Sequence, residues 1–91
     1  MKATFVKNVK GFREHAGLFR LEEPKNENHV RFRFIVVSTL KRAFDTGLPE
    51  TYIFPANSRG EVLNWTELDG SFQGAIDIDK ALRDGGYEVI R

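Results

Sequence analysis

The sequence HVRFRFIVVST, His29 to Thr39, predicts a strand at the centre of a sheet. Alternation places every second residue on one face, and these residues are apolar: Val30, Phe32, Phe34 and Val36. Arg31 and Arg33 then lie on the other face. From Ile35 onward both faces are apolar, which is typical of a central strand covered at that end by another element, here a helix.

The residues before this strand predict two more strands and a loop. The segment ATFVKNV, residues 3–9, has the composition of a strand, and its imperfect alternation indicates an edge strand or a bulge. LFRLE, Leu18 to Glu22, predicts a short strand. EPKNEN, Glu23 to Asn28, is polar and contains Pro24, so it predicts a hairpin loop. Beyond the central strand, ETYIF, residues 50–54, predicts a strand that Pro55 ends.

The C-terminal run DIDKALRDGGYEVI predicts a short helix followed by a strand. Asp77 or Asp79 can cap the helix. One face of the helix is apolar: Ile78, Ala81 and Leu82. Gly85-Gly86 supplies a left-handed end, and Tyr87 to Ile90 resumes as a strand. The whole pattern predicts one α+β domain over residues 1–91, a mostly antiparallel sheet of four to six strands with one short C-terminal helix packed on a face.

Composition excludes several classes of protein. The 91 residues contain no cysteine, which removes disulfides, thiol catalysis and Cys-ligated metal sites. The start MKATFVKNVK has no apolar segment of the kind found in signal peptides, and no run approaches the roughly 18 apolar residues of a membrane helix. These features predict a cytoplasmic location.

Charge is divided unevenly along the chain. Residues 1–42 hold ten Lys/Arg and four Asp/Glu, net +6, whereas residues 43–91 hold four Lys/Arg and nine Asp/Glu, net −5. The split can mean a basic surface for an acidic partner, or two halves whose charges face each other in one domain. We expect internal pairing, with three acidic residues on neighbouring strands opposite Arg31 and Arg33: Glu22, Glu50 and Glu61.

Neither metal binding nor catalysis has a motif in this sequence. His15 and His29 lack the spacing of paired metal ligands, and Asp77 and Asp79 would point to different sides of a helix. GSFQG, residues 70–74, lacks the central serine of a nucleophile elbow. The sequence therefore predicts a protein that is not an enzyme and uses no metal or cofactor.

Two kinds of binding remain as hypotheses. The leading one is a binding module that contacts another protein, with six candidate contact residues: Arg31, Arg33, Lys41, Arg42, Phe44 and Trp65. Trp65 is expected to close the core, and it becomes a contact residue if it is exposed. The alternative is a nucleic-acid binder that uses the basic residues Lys7, Lys10, Arg13, Arg31 and Arg33. Alternation argues against it, because it separates the arginines from the phenylalanines on which bases would stack.

Four segments, in this order, resemble a family of small uncharacterised proteins of bacteria and bacteriophages: KNVKGFREHAGLFRLEEP, ETYIFPA, WTELDGSF and ALRDGGYEVI. The resemblance covers nearly the whole chain, with variation expected from Glu23 to His29 and from Lys41 to Leu48. It implies no activity, cofactor or partner. A bacteriophage setting would favour a small accessory protein that binds a component of the host.

Overall fold

A computed structural model describes residues 1–10, 16–27, 29–40, 50–65, 72–73 and 77–91. Its elements are, in chain order, β1 (Lys2–Asn8), β2 (Ala16–Glu27), β3 (Val30–Leu40), β4 (Glu50–Ala56), β5 (Phe72–Gln73), α1 (Ile78–Asp84) and β6 (Glu88–Ile90). The strands form one sheet in the order β5-β4-β3-β2-β1-β6. All neighbouring strands pair antiparallel except β1 and β6, which are parallel. The predicted α+β architecture is confirmed.

The main core lies between the sheet and α1. β3 is central, and its Ile35 and Val37 pack in one cluster with Leu82 of α1. The same cluster holds further buried side chains of the sheet and of the segment after the helix: Ala3, Phe19, Leu21, Phe32, Ile53 and Tyr87. The prediction that a helix covers the apolar end of the central strand is confirmed. We call this side of the sheet the α1 face.

A smaller cluster lies on the opposite face of the sheet. It contains four buried residues: Ala16, Leu18, Val36 and Ala56. Residues 57–63 help to cover it, because the chain turns there and Val62 bridges back to Ala56. Gly60 allows this turn with a φ of +88°, and a Cβ at that position would come within 3.4 Å of the Val9 side chain. The left-handed backbone conformation is what favours glycine here, because a Cβ would make only ordinary van der Waals contacts.

Both ends of α1 follow the local chemistry of the sequence. The carboxylate of Asp77 accepts hydrogen bonds from the backbone N–H groups of Asp79 (2.8 Å) and Lys80 (3.3 Å). At the other end, two hydrogen bonds form a Schellman motif: Tyr87 N–H to the Leu82 carbonyl and Gly86 N–H to the Arg83 carbonyl. Gly86 has a φ of +93°. The predicted N-cap and left-handed C-terminal glycine are confirmed.

The predicted single apolar row of β3 is wrong. Val30 and Phe32 pack on the α1 face together with Ile35 and Val37, whereas Phe34 packs with Val36 on the opposite face. Alternation therefore breaks at Arg33, between Phe32 and Phe34.

The cause of this break is an irregular pairing with β2. Phe34 lies opposite Arg20 and Phe32 lies opposite Lys25. The four residues Leu21–Pro24 of β2 thus face a single residue, Arg33, and form a bulge.

The predicted hairpin loop from Glu23 to Asn28 is also wrong in its extent. β2 continues through this segment to Glu27, and the hairpin turns immediately before β3. His29 lies in this turn with a φ of 63°. Pro24 is tolerated because it lies within the bulge, where its missing N–H removes no ladder hydrogen bond.

Candidate binding face

The face of the sheet opposite α1 brings a cation and an aromatic ring together. Arg20 lies directly opposite Phe34 in the pairing of β2 with β3, and Phe34 lies opposite Ala56 in the pairing with β4. Directly opposed residues project from the same face of a sheet. Arg20 is exposed and Phe34 is half-buried. The separation predicted from alternation concerned Arg31 and Arg33 and did not include Arg20.

Arg31 lies on the same face. Its neighbours Val30 and Phe32 both pack on the α1 face, so alternation directs Arg31 to the other side. Its side chain is exposed, and across the hairpin it lies opposite Asn26. We call the surface that bears Arg20, Arg31 and Phe34 the cationic face.

Arg33 has a structural task in the bulge. Its Nε donates a hydrogen bond to the Leu21 carbonyl and its Nη2 donates one to the Glu22 carbonyl, each at 3.2 Å. Bulges interrupt the ladder and leave backbone groups without cross-strand partners. The Arg33 guanidinium donates hydrogen bonds to two carbonyls of the bulge and so stabilises its conformation.

Trp65 lies at the border of the cationic face. Its ring contacts Phe54 edge-on, with ring centres 5.3 Å apart, and Phe54 stacks on Tyr52 at 6.1 Å. Phe54 lies opposite Val36, which places this aromatic group on the same side of the sheet as Phe34. The side chain of Trp65 is 67% exposed, so the expectation that it closes the core is wrong.

The expected charge pairing between the two halves of the chain is not found where both partners are described. One ion pair, Lys25–Glu27, lies within the basic half. The others lie within the acidic half: Arg59–Glu61, Lys80–Asp84 and Arg91–Asp79. Within the described part of the chain, Arg20 and Arg31 have no acidic side chain as a hydrogen-bond or ion-pair partner.

The three acidic residues expected opposite Arg31 and Arg33 lie elsewhere or act differently. Glu22 contributes its backbone carbonyl, not its carboxylate, to Arg33. Glu50 lies opposite Leu40. Glu61 binds Asn57 and Arg59, and the hydrogen bonds from these two side chains lower the pKa of the Glu61 carboxyl below its ordinary value.

Several candidate residues from the sequence are not brought to this face by the described structure. Lys41, Arg42, Phe44 and Arg13 lie outside the described residues. Lys7 and Lys10 are exposed. Lys7 differs from the others, because it lies opposite Leu18 in the pairing of β1 with β2, which places it on the same side of the sheet as Arg20. Sequence analysis missed Arg20, whose only signal is a charged residue inside the apolar run LFRL.

Other site chemistry is limited in the described ranges. No three His, Asp or Glu side chains there come together as metal ligands. No helix in those ranges is long and apolar enough to cross a membrane. No family model, curated protein or solved structure matches the chain.

Proposed function

We propose that this protein is a small, cytoplasmic, non-catalytic binding module that contacts an acidic surface of another protein through its cationic face. We also propose that it belongs with the bacterial and bacteriophage proteins that it resembles, as an accessory protein acting on a host component. The observation that carries the proposal is Arg20 opposite Phe34, on a face that also exposes Arg31 and has Trp65 at its border.

Arg20 and Arg31 have no acidic side-chain partner among the described residues. A solvated arginine that meets a carboxylate in a dry interface forms charge-assisted, often bidentate hydrogen bonds. Arginine and tryptophan are also the side chains that most often dominate binding energy at interfaces. Trp65, two-thirds exposed and supported from below by Phe54, supplies apolar contact area at the border of the cations. The combination fits a partner that is acidic and partly apolar.

Capture from cells of the source organism tests the proposal when it is done with matched variants. We expect tagged wild-type protein to retain a partner protein that Arg20→Ala and Trp65→Ala lose. Arg83→Ala is the matched control, because Arg83 is an exposed arginine on α1, on the other side of the sheet. Retention that is equal in all four proteins would contradict the proposed face.

Nucleic acid is the second candidate partner, and one observation favours it. Because Arg20 and Phe34 share a face, a base could stack on the ring while the guanidinium neutralises a phosphate. Elution from heparin and single-stranded DNA columns at rising salt separates the candidates. Each phosphate contact contributes about 0.9 to the salt slope on duplex DNA and about 0.7 on single strands, so a nucleic-acid binder would show a steep slope. A protein-binding module would elute early from both columns.

A further inference from the structure

We propose that the free edge of β3 at Val30–Arg33 receives an extended acidic segment of the partner, which adds to the sheet as an extra strand. This inference rests on the proposed function, since it specifies how the partner of the cationic face is held. Strand addition is an established mode of peptide recognition, in which backbone hydrogen bonds supply affinity and side chains supply specificity.

The edge exists because β4 is shorter than β3. β4 pairs with β3 only from Phe34 to Leu40, and its chain turns away after Ala56. Residues Val30–Arg33 therefore extend beyond it, and within the described structure they pair on one side only, with β2. No described strand pairs with the backbone groups of this segment that face away from β2, so these groups can pair with an added strand.

The edge is held in place before any partner binds. Phe32 is 3% exposed and packs in the main core with Tyr87. On the neighbouring strand, Lys25 Nζ donates a hydrogen bond to the Tyr87 hydroxyl at 3.1 Å and forms an ion pair with Glu27. Because the edge is already ordered, the protein loses little conformational entropy on binding, so a short segment can bind there.

The side chains of the edge select the occupant. Arg31 is exposed on the cationic face, and an acidic residue opposite it on an added strand would contribute about 0.2–1 kcal/mol. The guanidinium of Arg33 reaches back to β2, so it does not cover the free side. Val30 is half-buried on the α1 face and can pack against an apolar neighbour. The matching segment alternates acidic and apolar residues.

The same charges disfavour a second copy of this chain as the occupant. Two β3 edges paired with each other would bring arginines of both copies together, and like charges across strands destabilise a sheet. Charged side chains on an edge are also a common means of preventing self-association. The expected state of the free protein is therefore not a dimer formed through this edge.

The test uses a short peptide of alternating Glu and Val and a matched peptide of alternating Lys and Val. We expect the acidic peptide to bind and to shift the backbone amide resonances of Val30–Arg33. Arg31→Glu should weaken binding of the acidic peptide at least about tenfold and favour the basic one. Two further peptides carry N-methyl groups on either the Glu or the Val backbone nitrogens, which leaves the charge unchanged. One of these two peptides should bind at least about tenfold more weakly, because its methyl groups block the backbone hydrogen bonds to the edge.

Three results would overturn the inference: no binding of the acidic peptide, unchanged amide resonances at Val30–Arg33, or full affinity of both N-methylated peptides. The proposed function is judged separately. The cationic-face variants could lose a cellular partner while the acidic peptide leaves the amide resonances of Val30–Arg33 unchanged. In that case the face binds its partner without strand addition. A poly(dT) oligonucleotide that shifts the resonances of Arg20 and Phe34, with no binding of the acidic peptide, would contradict both the strand addition and the protein partner.

Discussion

Arg33 donates a hydrogen bond from its Nε to the carbonyl oxygen of Leu21, across a bulge in which four residues of β2 face one residue of β3. A second bond reaches Glu22. We expect Arg33→Ala to lower the free energy of unfolding by about 1 kcal/mol, because carbonyls in the bulge lose their donor. Urea denaturation followed by circular dichroism measures this change.

Arg31→Ala is the matched control for this prediction. Arg31 is exposed two residues before Arg33 on the same strand and binds no described backbone carbonyl, so its removal should change stability by less than about 0.5 kcal/mol. Equal stability of the two variants would show that the bulge does not depend on Arg33.

Phe32 and Phe34 should differ strongly in their contribution to stability. Phe32 is 3% exposed in the main core, so Phe32→Ala should cost about 3–5 kcal/mol. The sequence pattern places Phe34 in the same apolar row as Phe32, but the Phe34 ring is only half-buried on the cationic face. Phe34→Ala should therefore cost less, about 1–2 kcal/mol. A larger loss for Phe34→Ala than for Phe32→Ala in the same denaturant series would contradict this assignment of faces.

Gly86 should be more sensitive to substitution than Gly85. Gly86 has a φ of +93° at the end of α1, whereas Gly85 has a φ of −81°. Nothing lies within 4 Å of a Cβ built at Gly86, so the penalty of Gly86→Ala is conformational, about 1 kcal/mol. Gly85→Ala should change the thermal midpoint much less. The opposite order would show that the helix does not end in this Schellman motif.

Glu61 should titrate at unusually low pH. Hydrogen bonds from Asn57 and Arg59 hold the pKa of its carboxyl below the ordinary value. A carboxyl whose pKa is lowered on folding contributes stability that is present above the unfolded value, about 4.3, and is lost as pH falls through the folded pKa. An NMR titration of the Glu61 side chain should show this shift, and Arg59→Ala should reduce it. An ordinary pKa in the wild type would refute the interaction.

Local chemistry made α1 and the strand after it predictable from sequence. An aspartate before an apolar helical face and a glycine pair after it specify the two ends of α1, and both features need only neighbouring residues. The sequence also predicted that a helix covers the apolar end of β3, because Ile35 and Val37 leave no solvated face at that end.

The candidate site was not predictable in the same way. The alternation of faces along β3 can be predicted only for an uninterrupted strand. The bulge opposite Arg33 interrupts it, and the sequence of the bulge predicts a loop because it contains Pro24. The pairing of Arg20 with Phe34 depends on the register between two strands, which neither segment specifies alone. Trp65 is a large aromatic residue of the kind expected in a core, and only the tertiary structure shows that it is exposed.

Position-specific cross-linking in cells of the source organism can show whether the cationic face binds another protein. A photo-reactive amino acid replaces Thr4, which lies opposite Arg20, Asn26, which lies opposite Arg31, or, as a control on α1, Arg83. These replacements leave Arg20, Arg31 and Trp65 in place, and we expect the same protein adduct from positions 4 and 26 and none from position 83. Adducts to nucleic acid from positions 4 and 26, or an equal adduct yield at all three positions, would contradict a protein partner at this face.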